Sequence, residues 1–157
     1  MKIVLGADPL GYELKEQVKE HLLAEGYELL DVGTCSPDQP VLYIEAAAKA
    51  AELVGTGAAE RGLVFCGTGM GVGIVANKHK GVYCATVESQ WAARECRIIN
   101  NANMLALGGR LVGASLAKDI VDTFLQTQWC ENSSAQRKEA LGALLGKLYS
   151  LEDRNFK

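Results

Sequence analysis

Short apolar runs that stop at glycines or polar turns alternate along the chain with longer stretches of helical periodicity, and this alternation leaves few folds open. The runs at 2–6 (KIVLG), 27–32 (YELLDV), 62–66 (GLVFC), 82–87 and 104–107 read as strands. The stretches at 12–25, 43–54, 71–78, 90–98, 115–127 and 135–149 read as helices. Strands joined through helices run parallel, with right-handed crossovers and helices on both sheet faces. The expectation is one α/β domain over residues 1–157: a five-stranded parallel sheet covered by helices on both faces, with a last helix at about 135–149. In that helix Leu141, Leu144, Leu145 and Leu148 make an apolar stripe after a polar break at 130–134 (CENSS). The stripe packs either on its own subunit or on a partner.

Charge and cysteine usage remove several classes of function. Both signs are interspersed, the formal net charge is -3, and no run of lysine and arginine offers a nucleic-acid surface. No apolar stretch approaches the ~20 residues of a membrane helix. The amino terminus shows no signal-peptide pattern, so a cytoplasmic protein is expected. The five cysteines, at 35, 66, 84, 96 and 130, form no C-x-x-C pair and no zinc spacing with His21 or His79. Neither a metal nor a disulfide framework is implied.

In open parallel sheets, ligands bind beyond the carboxyl ends of the strands. Residues 7–11 (ADPLG), 66–73 (CGTGMGVG) and 108–110 (GGR) are expected there, and the loop carrying Asn100, Asn101 and Asn103 is expected to join them. The glycine-rich segment is no P-loop, because no lysine follows it before Lys78. A dinucleotide fingerprint fits Gly71, Gly73 and Ala76 only when started far past the strand. What sets this loop apart is Cys66 at a strand tip. Amides opening the next helix point at a sulfur placed there and favour its thiolate. The adjoining amides and the Thr68 hydroxyl can hold an oxyanion. A base beside an oxyanion pocket suits proton abstraction next to a carbonyl. The alternative is a buried cysteine beside a structural turn.

The segment Cys66-Gly67-Thr68-Gly69, with Gly71, Ile74, Ala76, Asn77 and Lys78, resembles the C-G-T-G-x-G-x-x-I-x-A-N-K motif of type B ribose-5-phosphate isomerases and the related galactose-6-phosphate isomerase subunits. The likeness runs from Gly6-Ala7-Asp8 through Asn100, Asn103 and residues 104–110 to Gln136-Arg137, nearly the whole chain. It implies a Rossmann-like, doubly wound α/β fold and an aldose–ketose isomerase acting on a phosphorylated sugar through an enediolate. It also implies no cofactor or metal, and a homodimer or homotetramer with active sites shared between subunits. By position, Cys66 matches the base, and Thr68 with the Gly67 and Gly69 amides matches the enediolate-stabilising group. Asp8, Tyr43 and Asn100 match substrate contacts, and Arg110 and Arg137 match phosphate ligands. Gly71 belongs to the same substrate-binding loop.

Four departures bear on the substrate. Pro9 stands where the family has histidine, Leu42 where it has aspartate, and Ser133 where it has a second phosphate arginine. Ile99 stands where the family has the histidine that opens the furanose ring. Isoleucine transfers no proton, so a ring-opening contribution of ~10²–10⁴-fold is missing. The sequence therefore points to an open-chain substrate such as a tetrulose phosphate; a substrate of another length or stereochemistry, with Pro9 and Ile99 reshaping the pocket, stays open beside it. Three other readings stay open: a partner-dependent or non-catalytic subunit of a hetero-oligomeric isomerase, a sugar-phosphate-binding protein, and an epimerase that uses the same enediolate.

Overall fold

The computed structural model describes residues 1–156. Five strands, β1 (Lys2–Ala7), β2 (Glu28–Gly33), β3 (Arg61–Cys66), β4 (Cys84–Thr86) and β5 (Met104–Gly108), form one parallel sheet in the order β2-β1-β3-β5-β4. Six helices connect and follow them: α1 (Tyr12–Ala24), α2 (Tyr43–Gly55), α3 (Met70–Ala76), α4 (Gln90–Asn100), α5 (Ala114–Gln126) and α6 (Ala135–Asn155).

Alternation along each strand divides the core in two. Ile3, Leu5, Leu63, Phe65, Leu105 and Leu107 face α1, α4 and α5. Val4, Val64, Cys66, Met104 and Ala106 face α2 and α3. The central strands are therefore apolar on both sides, as the unbroken runs require. Fully buried side chains such as Phe65 and Leu105 each contribute about 1.5–3 kcal/mol by leaving water. The α2 helix lies close on the sheet because Ala46, Ala47, Ala50 and Ala51 make up its inner face.

The chain goes from β1 outward to β2, then back past β1 to β3. Consequently α1 leaves β1 on one face while α3 leaves β3 on the other. The carboxyl ends of these two neighbouring strands open a crevice at this topological switch point.

Two elements, β4 and α6, differ from the sequence expectation. β4 is only Cys84–Thr86 because side chains take over the backbone on its amino side. Asn103 accepts from the Tyr83 amide at 2.8 Å, and Asn77 accepts from the Cys84 amide at 2.9 Å. α6 continues to Asn155 because Glu152 accepts from the Gly81 amide and the Tyr83 hydroxyl, both at 2.8 Å. The leucine stripe of α6 is split: Leu141 and Leu145 are buried on their own chain, whereas Leu144 is 59% exposed and Leu148 36%.

Candidate active site

Ala7 and Cys66 end β1 and β3 at the switch point, and the two turns that follow build the site. The Asp8 amide donates to the Phe65 carbonyl at 3.2 Å, tying the first turn to the second strand. Asp8 Oδ1 then accepts from the amides of Leu10 and Gly11, both at 2.9 Å. This fixes the carboxylate and leaves Oδ2 for another donor. Gly11 is required here by close approach, since a Cβ would fall 2.4 Å from the Phe65 carbonyl carbon.

The second turn is held as tightly. The Gly109 amide donates to the Cys66 carbonyl at 2.8 Å and the Arg110 amide to the Gly67 carbonyl at 3.0 Å. Gly69 adopts φ +76°, and a Cβ there would meet the Leu107 backbone at 2.9 Å. This left-handed residue turns its own amide back onto Cys66 Sγ, at 3.1 Å. Cys66 is 6% exposed. This N–H fixes the sulfur at the floor of the loop. Of the two amides expected at the oxyanion, Gly69 thus already serves the sulfur, while Gly67 remains on the pocket wall.

Asp8, Leu10, Tyr43, Cys66, Gly67, Thr68, Gly71 and Arg110 line one open pocket of about 230 Å³. Tyr43, the first residue of α2, lays its ring on Gly71; a Cβ at 71 would stand 2.9 Å from Tyr43 Cε2. Pro9 is exposed in the turn beside the pocket. Leu10 was not singled out by the sequence, yet its Cδ1 would lie 3.2 Å from a Cβ on Gly67, roofing the loop next to the thiol. Among the described residues no group of three His, Cys, Asp or Glu side chains could hold a metal ion. Among the same residues no helix is long and apolar enough to cross a membrane.

Ile99, Asn100 and Arg137 do not join this pocket, which corrects the expectation that the asparagine loop lies at the same sheet edge. Ile99 and Asn100 end α4, just before β5 starts at Met104. Cys66 pairs with Gly108 at the other end of β5, so about 13 Å of strand separates the two edges. Arg137 is in the first turn of α6. The preceding turn is tied to the end of α4 by the Cys130 amide, which donates to the Ile98 carbonyl at 3.2 Å. The three residues therefore sit together at the amino edge of their own subunit. Asn101 and Asn103 there serve structure: Asn101 accepts from buried Arg97 at 2.9 Å and Asn103 donates to the Gly81 carbonyl at 2.7 Å.

The other thiols have no comparable setting. Burial pushes Cys84 up to about 12 and Cys96 up to about 11, so both stay protonated in neutral solution. The two histidines are occupied elsewhere, His21 with Asp122 at 2.8 Å and His79 with the Val75 carbonyl at 3.2 Å.

A doubly wound parallel sheet with a thiol, a glycine-rich loop and a fixed carboxylate at its switch point places the chain among α/β enzymes. More particularly, the chain belongs to the ribose/galactose isomerase family, whose model matches residues 3–141, and it is an isomerase. It is 44% identical over 153 residues to the 4-deoxy-4-sulfo-D-erythrose isomerase of Clostridium sp. (strain MSTE9), covering 98% of this chain and 96% of that one. It is 36% identical to D-erythrulose-4-phosphate isomerase 2 of Mycolicibacterium smegmatis, covering 88% and 92% of the two chains. Among solved structures, ribose-5-phosphate isomerase B of Clostridium thermocellum superposes with a TM-score of 0.89 at 39% identity, over 99% of each chain.

Proposed function

We propose that the chain interconverts an aldose and a ketose of four carbons, open-chain and bearing a terminal anion, with Cys66 as the base. The observation that carries this reading is the Cys66 sulfur, held by the Gly69 amide at 3.1 Å in a pocket shared with Asp8, Thr68 and Arg110. The thiolate takes the proton from the carbon next to the carbonyl, and the electron pair moves onto the carbonyl oxygen. The Gly67 amide and the Thr68 hydroxyl hold the resulting enediolate. A proton passes between the two substrate oxygens, and the thiol returns its proton to the neighbouring carbon. No net oxidant or co-substrate is needed. Asp8 Oδ2 takes a sugar hydroxyl, and Arg110 takes part of the anionic end.

Chain length follows from Ile99. A tetrose whose fourth carbon carries a phosphate ester or a sulfonate has no free hydroxyl there to close a furanose, so it needs no ring-opening acid. Two relatives named for four-carbon substrates support this, one sulfonated and one phosphorylated. Ser133 in place of a second arginine lowers the positive charge offered to the anion and favours the singly charged sulfonate.

The reading includes a homodimer in which Ile99, Asn100 and Arg137 of one protomer complete the pocket of the other. Their position at the opposite edge supports it. So do the exposed apolar side chains beside the pocket: Leu42 at 66%, Met70 at 55% and Ile74 at 64%.

The test is steady-state isomerisation of 4-deoxy-4-sulfoerythrose, erythrose 4-phosphate and ribose 5-phosphate by the wild type and Cys66→Ala. The four-carbon substrates should turn over and ribose 5-phosphate should lag, with the variant down by at least ~10²–10⁴-fold while still binding. Equal turnover of ribose 5-phosphate sinks the chain-length argument. Undiminished activity in Cys66→Ala sinks the base assignment.

A further inference from the structure

Lys15 is a charged side chain with no exposure at all, in a helix face otherwise made of Leu14, Val18 and Leu22. An ammonium in that position is costly unless its donors and its charge are satisfied. Its Nζ donates to Asp31 Oδ1 at 2.6 Å and to the Thr34 carbonyl at 2.9 Å. Glu16 Oε1 lies 2.9 Å away, and the Tyr12 ring centroid lies 5.4 Å away. Lys19 pairs with the other oxygen of Asp31, making a balanced quartet of two cations and two carboxylates.

The contact with Thr34 is the one that reaches the pocket. Thr34 follows β2, and its amide donates to the Ala7 carbonyl at 2.8 Å, next to Asp8. Its hydroxyl oxygen accepts from the Val41 amide at 3.0 Å and faces the Val41 carbonyl at 3.4 Å. The loop 34–41 is thereby closed at its base, and α2 begins two residues later with Tyr43. Leu42, the residue at the helix start, provides no side-chain cap. The direction in which Tyr43 enters the pocket is therefore set by the Thr34–Val41 clasp and the ring's seat on Gly71. At the other end of the same helical turn, the Lys15 amide donates to the Gly11 carbonyl at 2.9 Å. The Gly11 amide in turn donates to Asp8 Oδ1. The ammonium thus holds the turn that leads to Tyr43, while the Lys15 backbone amide joins the same residue to the turn that carries Asp8.

We propose that Lys15 is a positioning residue whose ammonium, through the Thr34 carbonyl and the Thr34–Val41 clasp, sets Tyr43 against Gly71 for substrate contact. The inference rests on the isomerase reading for its kinetic consequence, and its structural link can be measured separately.

The experiment is a double-mutant cycle of Lys15→Met and Tyr43→Phe, read by kcat and KM on the four-carbon substrate. Hydrogen exchange at the Val41 amide is measured alongside. Tyr43→Phe should lower kcat/KM by about tenfold, mostly through KM. Lys15→Met should lower it by a similar factor, and the double variant should be no worse than either single one. Val41 exchange should quicken in Lys15→Met, while the Cys84 amide, held by Asn77, stays protected. Effects that multiply in the double variant would overturn the proposal. So would a Lys15→Met protein that melts lower but keeps wild-type kcat/KM. If Lys15→Met does not fold, Thr34→Val removes the clasp alone and must show the same non-additivity with Tyr43→Phe. A wild-type chain that isomerises none of these sugars refutes the isomerase reading instead. The Val41 amide then decides the structural link, and unchanged exchange there overturns it.

Discussion

Replacing Gly71 with alanine should separate activity from stability. A Cβ built there falls 2.9 Å from Cε2, 3.1 Å from Cδ2 and 3.5 Å from Cζ of Tyr43. Carbon atoms in good contact sit about 3.5–4.0 Å apart, so the ring must retreat by about 0.5–1 Å. It has room to do so, since Tyr43 is 39% exposed and the pocket is open. The fold therefore bears little strain. The helix itself gains up to about 1 kcal/mol from alanine over glycine, and less this close to its start. The substrate bears the loss, because a contact displaced on this scale costs between about tenfold and 10²-fold in kcat/KM. That is about 1.4–2.7 kcal/mol of transition-state stabilisation. The assay pairs steady-state kinetics on the four-carbon substrate with thermal melting of the same preparation. The expected result is an unchanged or raised melting temperature with a reduced kcat/KM. Wild-type kcat/KM would refute the role given to Tyr43. A fall in both quantities would show that the clash is relieved by moving the helix and not the ring.

Two further outcomes follow from burial. Desolvation raises Cys84 from 9.0 to about 12; the unfolded chain then releases this proton at a lower pH than the folded one. The stability this thiol contributes is complete below about pH 9 and is lost as pH rises towards about 12. Cys84→Ala should therefore shrink the drop in melting temperature between about pH 8.5 and 11, and an unaltered drop would count against the assignment. Leu141 and Leu144 should part company, since the first is 8% exposed and the second 59%. Leu141→Ala should cost about 2–3 kcal/mol of folding stability at every protein concentration. Leu144→Ala should instead weaken association, seen as a steeper concentration dependence of melting; equal behaviour of the two variants would refute the split of the stripe.

The sheet was readable because its central strands are apolar on both faces and each ends at a glycine or a polar turn. Cys66, Gly67, Thr68, Asp8 and Arg110 were read from one rule, that ligands collect where parallel strands end, and they line one pocket. Asn100 was misplaced although chain direction alone decides its position: a loop that precedes a parallel strand lies at that strand's amino end. The shortness of β4 was hidden because Asn77 and Asn103, distant in sequence, take over its flanking backbone bonds. Lys15 went unread for a similar reason. In a helix rich in charge a lysine looks solvated, and only the arrival of Asp31 from β2 and of Thr34 just after it shows otherwise. The one local sign was its place among Leu14, Val18 and Leu22.

The crowded glycines around the thiol have a consequence for how such a protein diversifies. A side chain at 11 would strike the Phe65 backbone at 2.4 Å, and one at 108 would strike the Thr68 backbone at 2.7 Å. Substitutions there are lost before selection can weigh their effect on any sugar. Leu10 and Leu42, at 52% and 66% exposure, carry no such restriction, and Pro9 is exposed beside them. Descendants of one ancestor can therefore exchange one sugar for another by rewriting the rim of the pocket, generation after generation, while the glycine-rich loop around Cys66 is inherited intact.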